Sequence, residues 1–496
     1  MPSGRSLPRP FKRSLFPTNQ NNTMSSTTKN TLKATGIEKI AFGMGMLANQ
    51  MFPAILSIFM VVLIQDLGFT GLMWSLIFLF PRIFDAITDP IMGFISDNTK
   101  SKWGRRRQYV FIGGLIMGLS FIFMWQLFKE NGLEYNFWYF LFWSIMFYLG
   151  LTIFSVPYVA MGYEMSDDFH ERTSIMAIAQ WIGQWAWVIV PWFWVIINDK
   201  SWFPSPDVAA RQLAIWVAIP CTIFALIPAI FIRSRSTLEE DYEPLNASNI
   251  GRSLIKIIAS FKEAFKISEF RKLCGATFFI FNAFNTAAGL TYFVIVSKLF
   301  NGDAGASGIW VAMFGCISSL GTTFVVIPVV AWLSKRYGKK RAFMMSQGIS
   351  LIGYIMLYFL FVPGKPWMYL FALPFFSFGI GGLFTIMMSM TADVIDVDEL
   401  NTGKRREGIF GAIYWWIVKL GFALAGGLTG LVMTWLGFQS NVPTIEQQWS
   451  VDALHIFFCF FPMVGTIIAM VIMSKYGITE STAEETKRRL QASREN

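Results

Sequence analysis

Stretches of roughly twenty apolar residues, each long enough to cross a hydrocarbon core of about 30 Å, recur from one end of this chain to the other. Twelve can be placed, the first at 39–64 and the last at 453–474. A backbone inside a bilayer finds no water to bond, so it must close its own hydrogen bonds as helix or as a sealed barrel. Segments this long and this continuously apolar predict helices. Composition agrees: 54% of the residues are hydrophobic, mean hydropathy is +0.48 and 15% are charged, where soluble domains carry about 25%. The expectation is an all-α membrane protein.

The formal net charge of +10 would suit a nucleic-acid binder if it formed one patch, but it is spread over the loops between segments. Lys100, Lys102, Arg105, Arg106 and Arg107 follow the second segment, and Lys335, Arg336, Lys339, Lys340 and Arg341 follow the eighth. The alternate loops carry little positive charge: the first is 65–70, and the third holds Lys129 beside Glu130 and Glu134. Basic loops stay in the cytoplasm. Both termini are therefore expected there, in a multi-pass protein of the inner membrane with no nucleic-acid partner. Cys221, Cys274, Cys316 and Cys459 fall inside predicted spans and read as packing residues. His170 and His455 lie far apart, which leaves no histidine-built metal centre and no nucleophile with its base, so a membrane-embedded enzyme is disfavoured. No ring of charges or filter-like loop suggests a channel.

The chain divides in two. Residues 234–271 form a charged linker whose Leu254, Ile257, Ile258, Phe261 and Phe265 have the spacing of an amphipathic helix at the cytoplasmic surface. Before it lie a disordered arm, 1–36, and a six-helix bundle, 37–233; after it lie a second bundle, 272–475, and a charged tail, 476–496. The halves echo each other. SKWGRRR at 101–107 matches SKRYGKKR at 334–341, and the acidic-basic run 167–172 has a counterpart in 393–407. Duplicated six-helix halves are the layout of major facilitator transporters, which bind substrate near the bilayer midplane. The charged loops offer a cytoplasmic gate: Arg105 and Arg106 with Glu164, Asp167 and Asp168, and in the other half Asp396 with Arg405 and Arg406, could latch the outward-facing state by bridging the bundles. The same basic residues could equally do no more than set topology.

An ionisable side chain at mid-bilayer costs roughly 2.5–3.5 kcal/mol on insertion scales, so each one calls for a reason. The second segment holds Arg82, Asp85 and Asp89. Helical rise places Asp89 about 12 Å and Asp85 about 18 Å deep, and Lys419 in the eleventh segment about 16 Å deep. Asp85 and Asp89 share a helix face, and two close carboxylates in low dielectric resist joint ionisation unless a cation or proton joins them. The competing reading is an Arg82–Asp85 ion pair. Pro90 adds a freed carbonyl near residue 86 that suits a hard cation. Lys419 can pair with the carboxylates or hold substrate. Neutral polar groups gather at similar depth: Asn49, Gln50, Thr152, Ser155, Gln180, Gln184, Asn282 and Asn285, beside Trp181, Trp185, Trp415 and Trp416. Amides and hydroxyls beside rings suit a sugar; singly, each also serves as glue between helices.

The run RIFDAITDPIMGFISD at 82–97, closing in WGRR at 103–106, resembles the signature of the glycoside-pentoside-hexuronide:cation symporter family, to which the melibiose carrier belongs. ADVIDVDE at 392–399, REG at 406–408 and then Lys419 form a second match, and the likeness runs from about 39 to 475. The resemblance implies a major facilitator fold, a cation site at Asp85, Asp89 and Thr152 with Lys419 beside it, and a rocking alternating-access cycle. It implies Na+ or H+ as coupling ion, no other cofactor, and a sugar, glycoside or sugar acid as substrate, handled by a monomer in contact with membrane lipids. Gln50, Ser155 and Gln180 stand where the family's galactoside carriers have charged residues, which sets galactoside specificity apart from this chain. A lysolipid or other amphiphile symporter of the same superfamily is the alternative, since eukaryotic relatives with a similar lysine carry lysophospholipids.

Overall fold

The computed structural model describes residues 34–495 apart from 167–168, 235, 239–246, 404–405 and 441. Among these residues the regular structure is helical throughout, and twelve helices are long and apolar enough to cross a membrane. Spans 1 to 6 are Gly36–Gln65, Gly71–Asp97, Arg107–Met124, Leu133–Glu164, Ser174–Asn198 and Pro206–Phe231. Spans 7 to 12 are Ser268–Leu299, Ala304–Tyr337, Lys339–Leu360, Pro366–Thr402, Ile409–Trp435 and Thr444–Ser474. The linker forms a helix at Ala247–Ala264, and the expected charged tail forms another at Glu480–Glu495 that packs on span 10. The expected arm, 1–36, falls almost wholly outside the described residues.

Local chemistry sets the helix ends. Thr35 and Glu38 make a capping box at span 1: the Glu38 amide donates to Thr35 Oγ1 at 3.3 Å and the Thr35 amide to Glu38 Oε2 at 2.8 Å. Thr70 caps span 2, and Asp303 caps span 8. Within span 8 a π turn, Thr322–Val326, precedes Pro328, whose missing amide would otherwise break the ladder.

Spans 1–6 pack on one another, as do spans 7–12, and the two bundles meet through span 2 against span 11 and span 5 against span 8. Because the number of spans is even, residues 34 and 480 share one side of the molecule, here termed the terminal face; the other is the far face. The repeat extends to atoms. Gly104 and Gly338 take positive φ of 82° and 80° in the matching loops, a conformation glycine adopts without strain. After Gly104, Arg105 and Arg106 reach Glu164 at the end of span 4, and Arg107 Nε donates to the Ala229 carbonyl at the end of span 6. After Gly338, Lys339 reaches Asp393 in span 10, and Lys340 donates to the Ser474 and Tyr476 carbonyls at the end of span 12. In each bundle one loop thus ties the fourth helix and satisfies orphan carbonyls of the sixth.

Candidate functional site

Span 2 presents one stripe of residues to span 11. From the far face inward, Gly71 meets the backbone of Gly430, Ser75 Oγ donates to the Gly427 carbonyl at 2.7 Å, and Phe78 lies on Gly426. The Arg82 guanidinium lies 4.5 Å from the Phe422 ring centroid, and then come Asp85 and Asp89 opposite Lys419. Steps of three and four residues keep such a stripe on one side of a helix, and the glycines on both spans let the backbones approach.

Lys419 Nζ donates to Asp85 Oδ2 at 3.1 Å and also to Asp89 Oδ2. Thr152 of span 4 donates to Asp85 Oδ1 at 2.6 Å and lies 3.3 Å from Asp89 Oδ1. Thr88 adds a hydroxyl 3.4 Å from that of Thr152. Asp85, Asp89 and Thr152, expected to form the cation site, and Lys419, expected beside it, are therefore in direct contact, with the carboxylates supplied by one bundle and the ammonium by the other. Asp85 is 2% exposed, whereas the Lys419 side chain is 34% exposed, so the pair is buried at the carboxylates and reachable from the lysine side. The donor set is all oxygen: two carboxylates and two hydroxyls. Such a set fits a hard cation, or a proton on either carboxylate.

Arg82 departs from the ion pair considered above. Among the described residues it bridges to no carboxylate; its guanidinium lies between Tyr148 at 4.7 Å and Phe422 at 4.5 Å, and its Nε has no hydrogen-bond partner. The ring faces hold the charge by cation–π attraction, about 0.5–2 kcal/mol each, which leaves Asp85 to Lys419 and Thr152.

The neutral polar residues divide. Gln50 accepts from Trp187 Nε1 at 3.3 Å, joining spans 1 and 5. Gln180 and Gln184 are exposed on the Trp187 side of span 5, and Asn49 and Ser155 are half-buried. None of these last four makes a side-chain hydrogen bond among the described residues. Asn282 and Asn285, expected in a substrate cavity, are engaged elsewhere: Asn282 donates to the Gly421 carbonyl at 3.3 Å as a strut between spans 7 and 11, and Asn285 to Phe281 in its own helix at 2.7 Å. Trp415 is half-exposed and stacks on Phe384 at 6.1 Å. Thr88, Tyr148, Phe422 and Trp187 were not singled out by sequence. Thr88 at least lies inside the 82–97 signature, whereas nothing marked the three aromatics.

Among the described residues, the ion pairs of Arg105, Arg106 and Arg406 do not join the two bundles. Arg105 and Arg106 bind Glu164, and Arg106 also Asp97 at 2.6 Å, all within the first bundle. Arg406 binds Asp398 of its own bundle at 2.6 Å and Glu263 of the linker helix at 2.5 Å. Asp396 sits half-buried on span 10, and Asp167, Asp168 and Arg405 lie outside the described residues. The far face, by contrast, is latched: Tyr292 donates to Gln65 Oε1 at 2.5 Å and stacks on Trp194 at 4.3 Å, and Ser440 donates to the Ile64 carbonyl at 3.1 Å.

Residues 41–480 match the model of a family described as MFS/sugar transport protein. An uncharacterized symporter of Synechocystis sp. is 24% identical over 92% of this chain and 97% of its own length. A glucuronide carrier protein homolog of Escherichia coli is 21% identical over 90% and 93%. A lactose permease of Leuconostoc lactis is 24% identical over 90% and 71%. Among solved structures, a proton-dependent oligopeptide transporter superposes with a TM-score of 0.61 at 13% identity over 92% of this chain and all of that one. The nucleoside transporter NupG superposes with a TM-score of 0.56 at 17% identity, over 89% of this chain and all of that one. With its two six-helix bundles and a family match that spans both, the chain belongs to the MFS/sugar transport protein family and is a multi-pass membrane transporter of the major facilitator fold.

Proposed function

We propose that this transporter couples entry of a cation, Na+ or H+, to uptake of a sugar, glycoside or sugar acid by alternating access. The observation that carries this reading is the ion cluster astride the bundle interface, with Asp85 and Asp89 on one side and Lys419 on the other. A cation or proton competes with the ammonium for the same carboxylate oxygens. Its arrival cancels the attraction between the bundles, and Lys419 is left as a buried charge without a partner, an arrangement that costs about 3–5 kcal/mol. A substrate that offers Lys419 an oxygen removes that cost, so cation and substrate bind cooperatively, each strengthening the other by the same factor.

In this reading the terminal face is cytoplasmic, because the basic loops after spans 2 and 8 lie on it, and the latched far face makes the structure inward-facing. Gln50, Gln180, Gln184, Asn49 and Ser155, with Trp187 and Trp415, supply amides, a hydroxyl and rings for a saccharide. The relatives named as a glucuronide carrier homolog and a lactose permease support that class. A neutral sugar gains a charge-assisted bond to Lys419 worth about 1.5–3 kcal/mol, an acidic one gains an ion pair, and a cationic solute is repelled.

The deciding experiment is uptake of labelled glycosides, pentosides and uronates by vesicles under separately imposed Na+ and H+ gradients. One gradient is expected to drive accumulation, and Asp85→Asn and Asp89→Asn to abolish it while leaving downhill exchange. Accumulation that survives in both variants, or that lysolipid displaces and no saccharide does, overturns the reading.

A further inference from the structure

Asp66 lies in the loop between spans 1 and 2, immediately after the far-face latch residues Ile64 and Gln65. The residue is half-buried, and its Oδ2 is shielded from water with no hydrogen-bond partner among the described residues. The titratable and charged groups that face it are Lys129 on the short turn after span 3, Asp207 in the first turn of span 6, and Tyr292 on span 7 of the other bundle. Both nearby cations are committed to Asp207. Lys129 Nζ lies 3.1 Å from Asp207 Oδ1, and Arg211 Nη1 lies 3.2 Å from Asp207 Oδ2 and donates to the Leu127 carbonyl at 2.6 Å. Phe128 covers the Arg211 guanidinium at 4.6 Å. Of two carboxylates and two cations, one carboxylate takes both cations and Asp66 is left without one.

We propose that Asp66 is a proton-binding site, separate from the Asp85 and Asp89 cluster, that holds its proton while the far face is shut and releases it when the latch parts. An ionised carboxylate that is buried without a partner is strongly disfavoured, and protonation removes the charge. When Tyr292 and Trp194 move away, water reaches the shielded Oδ2 as well and ionisation becomes easy. Burial and the neighbouring Asp207 raise the carboxyl, Lys129 only partly opposes them, and it stands at about 6 in the shut state against 3.8 for a free aspartate. The sign follows: a carboxyl raised in the shut state stabilises that state as pH falls and penalises it as pH rises through 6. Between pH 5 and 7.5 the ratio of open to shut molecules should rise by about tenfold from this group alone.

The inference rests on alternating access but not on any substrate, so it can be read without transport. With the four native cysteines replaced, Ser75→Cys reports opening at the far face and Ala412→Cys, on the Lys419 face of span 11, reports the terminal face. Labelling by an impermeant maleimide is normalised at each pH to the unfolded protein. Far-face labelling is expected to climb about tenfold from pH 5 to 7.5, with the terminal reporter moving oppositely. Asp66→Asn should hold the far face shut and flatten the profile, and Asp66→Glu should restore a titration. Reciprocal profiles identical in the parent, Asp66→Asn and Asp66→Glu overturn the proton site and leave alternating access standing. A Ser75→Cys thiol that stays unreactive at every pH in every variant overturns alternating access, and the inference with it.

Discussion

At the scale of single residues, Lys419 decides how the site behaves. It occupies one oxygen of each carboxylate, so it is the counter-charge of Asp85 and Asp89 and, in the proposed cycle, the competitor of the coupling ion. Lys419→Gln removes the competitor and leaves two like charges close together, which raises their demand for a cation. The variant is therefore expected to gain more thermal stability from Na+ or from acid than the parent does. Each tenfold gain in cation affinity adds about 1.4 kcal/mol at saturating cation. Thermal unfolding followed against Na+ concentration and against pH measures this, and an unchanged dependence in Lys419→Gln would show that the ammonium and the cation do not share the site. The charged members were legible in sequence because ionisable residues stand out in an apolar span. Tyr148, Phe422 and Trp187 were not, since aromatic residues make up 17% of the chain and none announces its partner. Asn282 and Asn285 show the converse limit: an amide at the right depth looks the same whether it faces a cavity or bonds a neighbouring carbonyl.

Among the helices, close backbone approach repeats at equivalent places in the two bundles. A Cβ on Gly113 of span 3 would lie 2.3 Å from the Phe154 amide nitrogen of span 4, and one on Gly353 of span 9 would lie 2.3 Å from the Phe376 amide nitrogen of span 10. Neither neighbour is a side chain that can turn away, so the helices themselves must part. Gly353→Ala is expected to destabilise the protein by about 1–3 kcal/mol. Gly348→Ala, in the same span with nothing within 4 Å, should be neutral or stabilise by up to about 1 kcal/mol. Melting temperatures of the two variants in one detergent make the comparison, and equal losses would count against the close-packed pair. The repeated loop motif was readable from its glycine and basic residues, but these packing glycines were not, because 40 glycines look alike without coordinates. Span ends show a similar limit. Span 10 continues to Thr402, through the charged run that begins at 393, because hydropathy marks the bilayer and the polar turns past it remain helical.

For the molecule as a whole, the two faces are held by different means. The far face is closed by backbone contact between spans 2 and 11, by Pro191 on Gly315 between spans 5 and 8, and by the Tyr292 latch. On the terminal side the linker helix packs against spans 2 and 11, while the basic loops bind acids of their own bundles. Two six-helix bundles and a central ion cluster could be read from the sequence, but the conformation could not, because one sequence encodes every state of the cycle and only their relative energies differ. Gly430 is the most direct handle on that balance. A Cβ there would lie 2.1 Å from the Gly71 carbonyl oxygen and 2.6 Å from Ser75 Oγ, so a branched side chain cannot be accommodated while the far face is shut. In the alternating-access cycle proposed above, spans 2 and 11 separate at this level in the opposite state, so the clash belongs to the shut state alone. Gly430→Val should therefore leave the fold and the Asp85–Asp89 site intact, shift the population toward the far-face-open form, and slow net uptake at least tenfold, because each cycle must pass through the shut state. The Ala412→Cys reporter should lose reactivity in this variant while cation-dependent thermal stabilisation persists. Normal uptake and unchanged labelling in Gly430→Val would mean that the span 2 and span 11 contact is not what closes the far face.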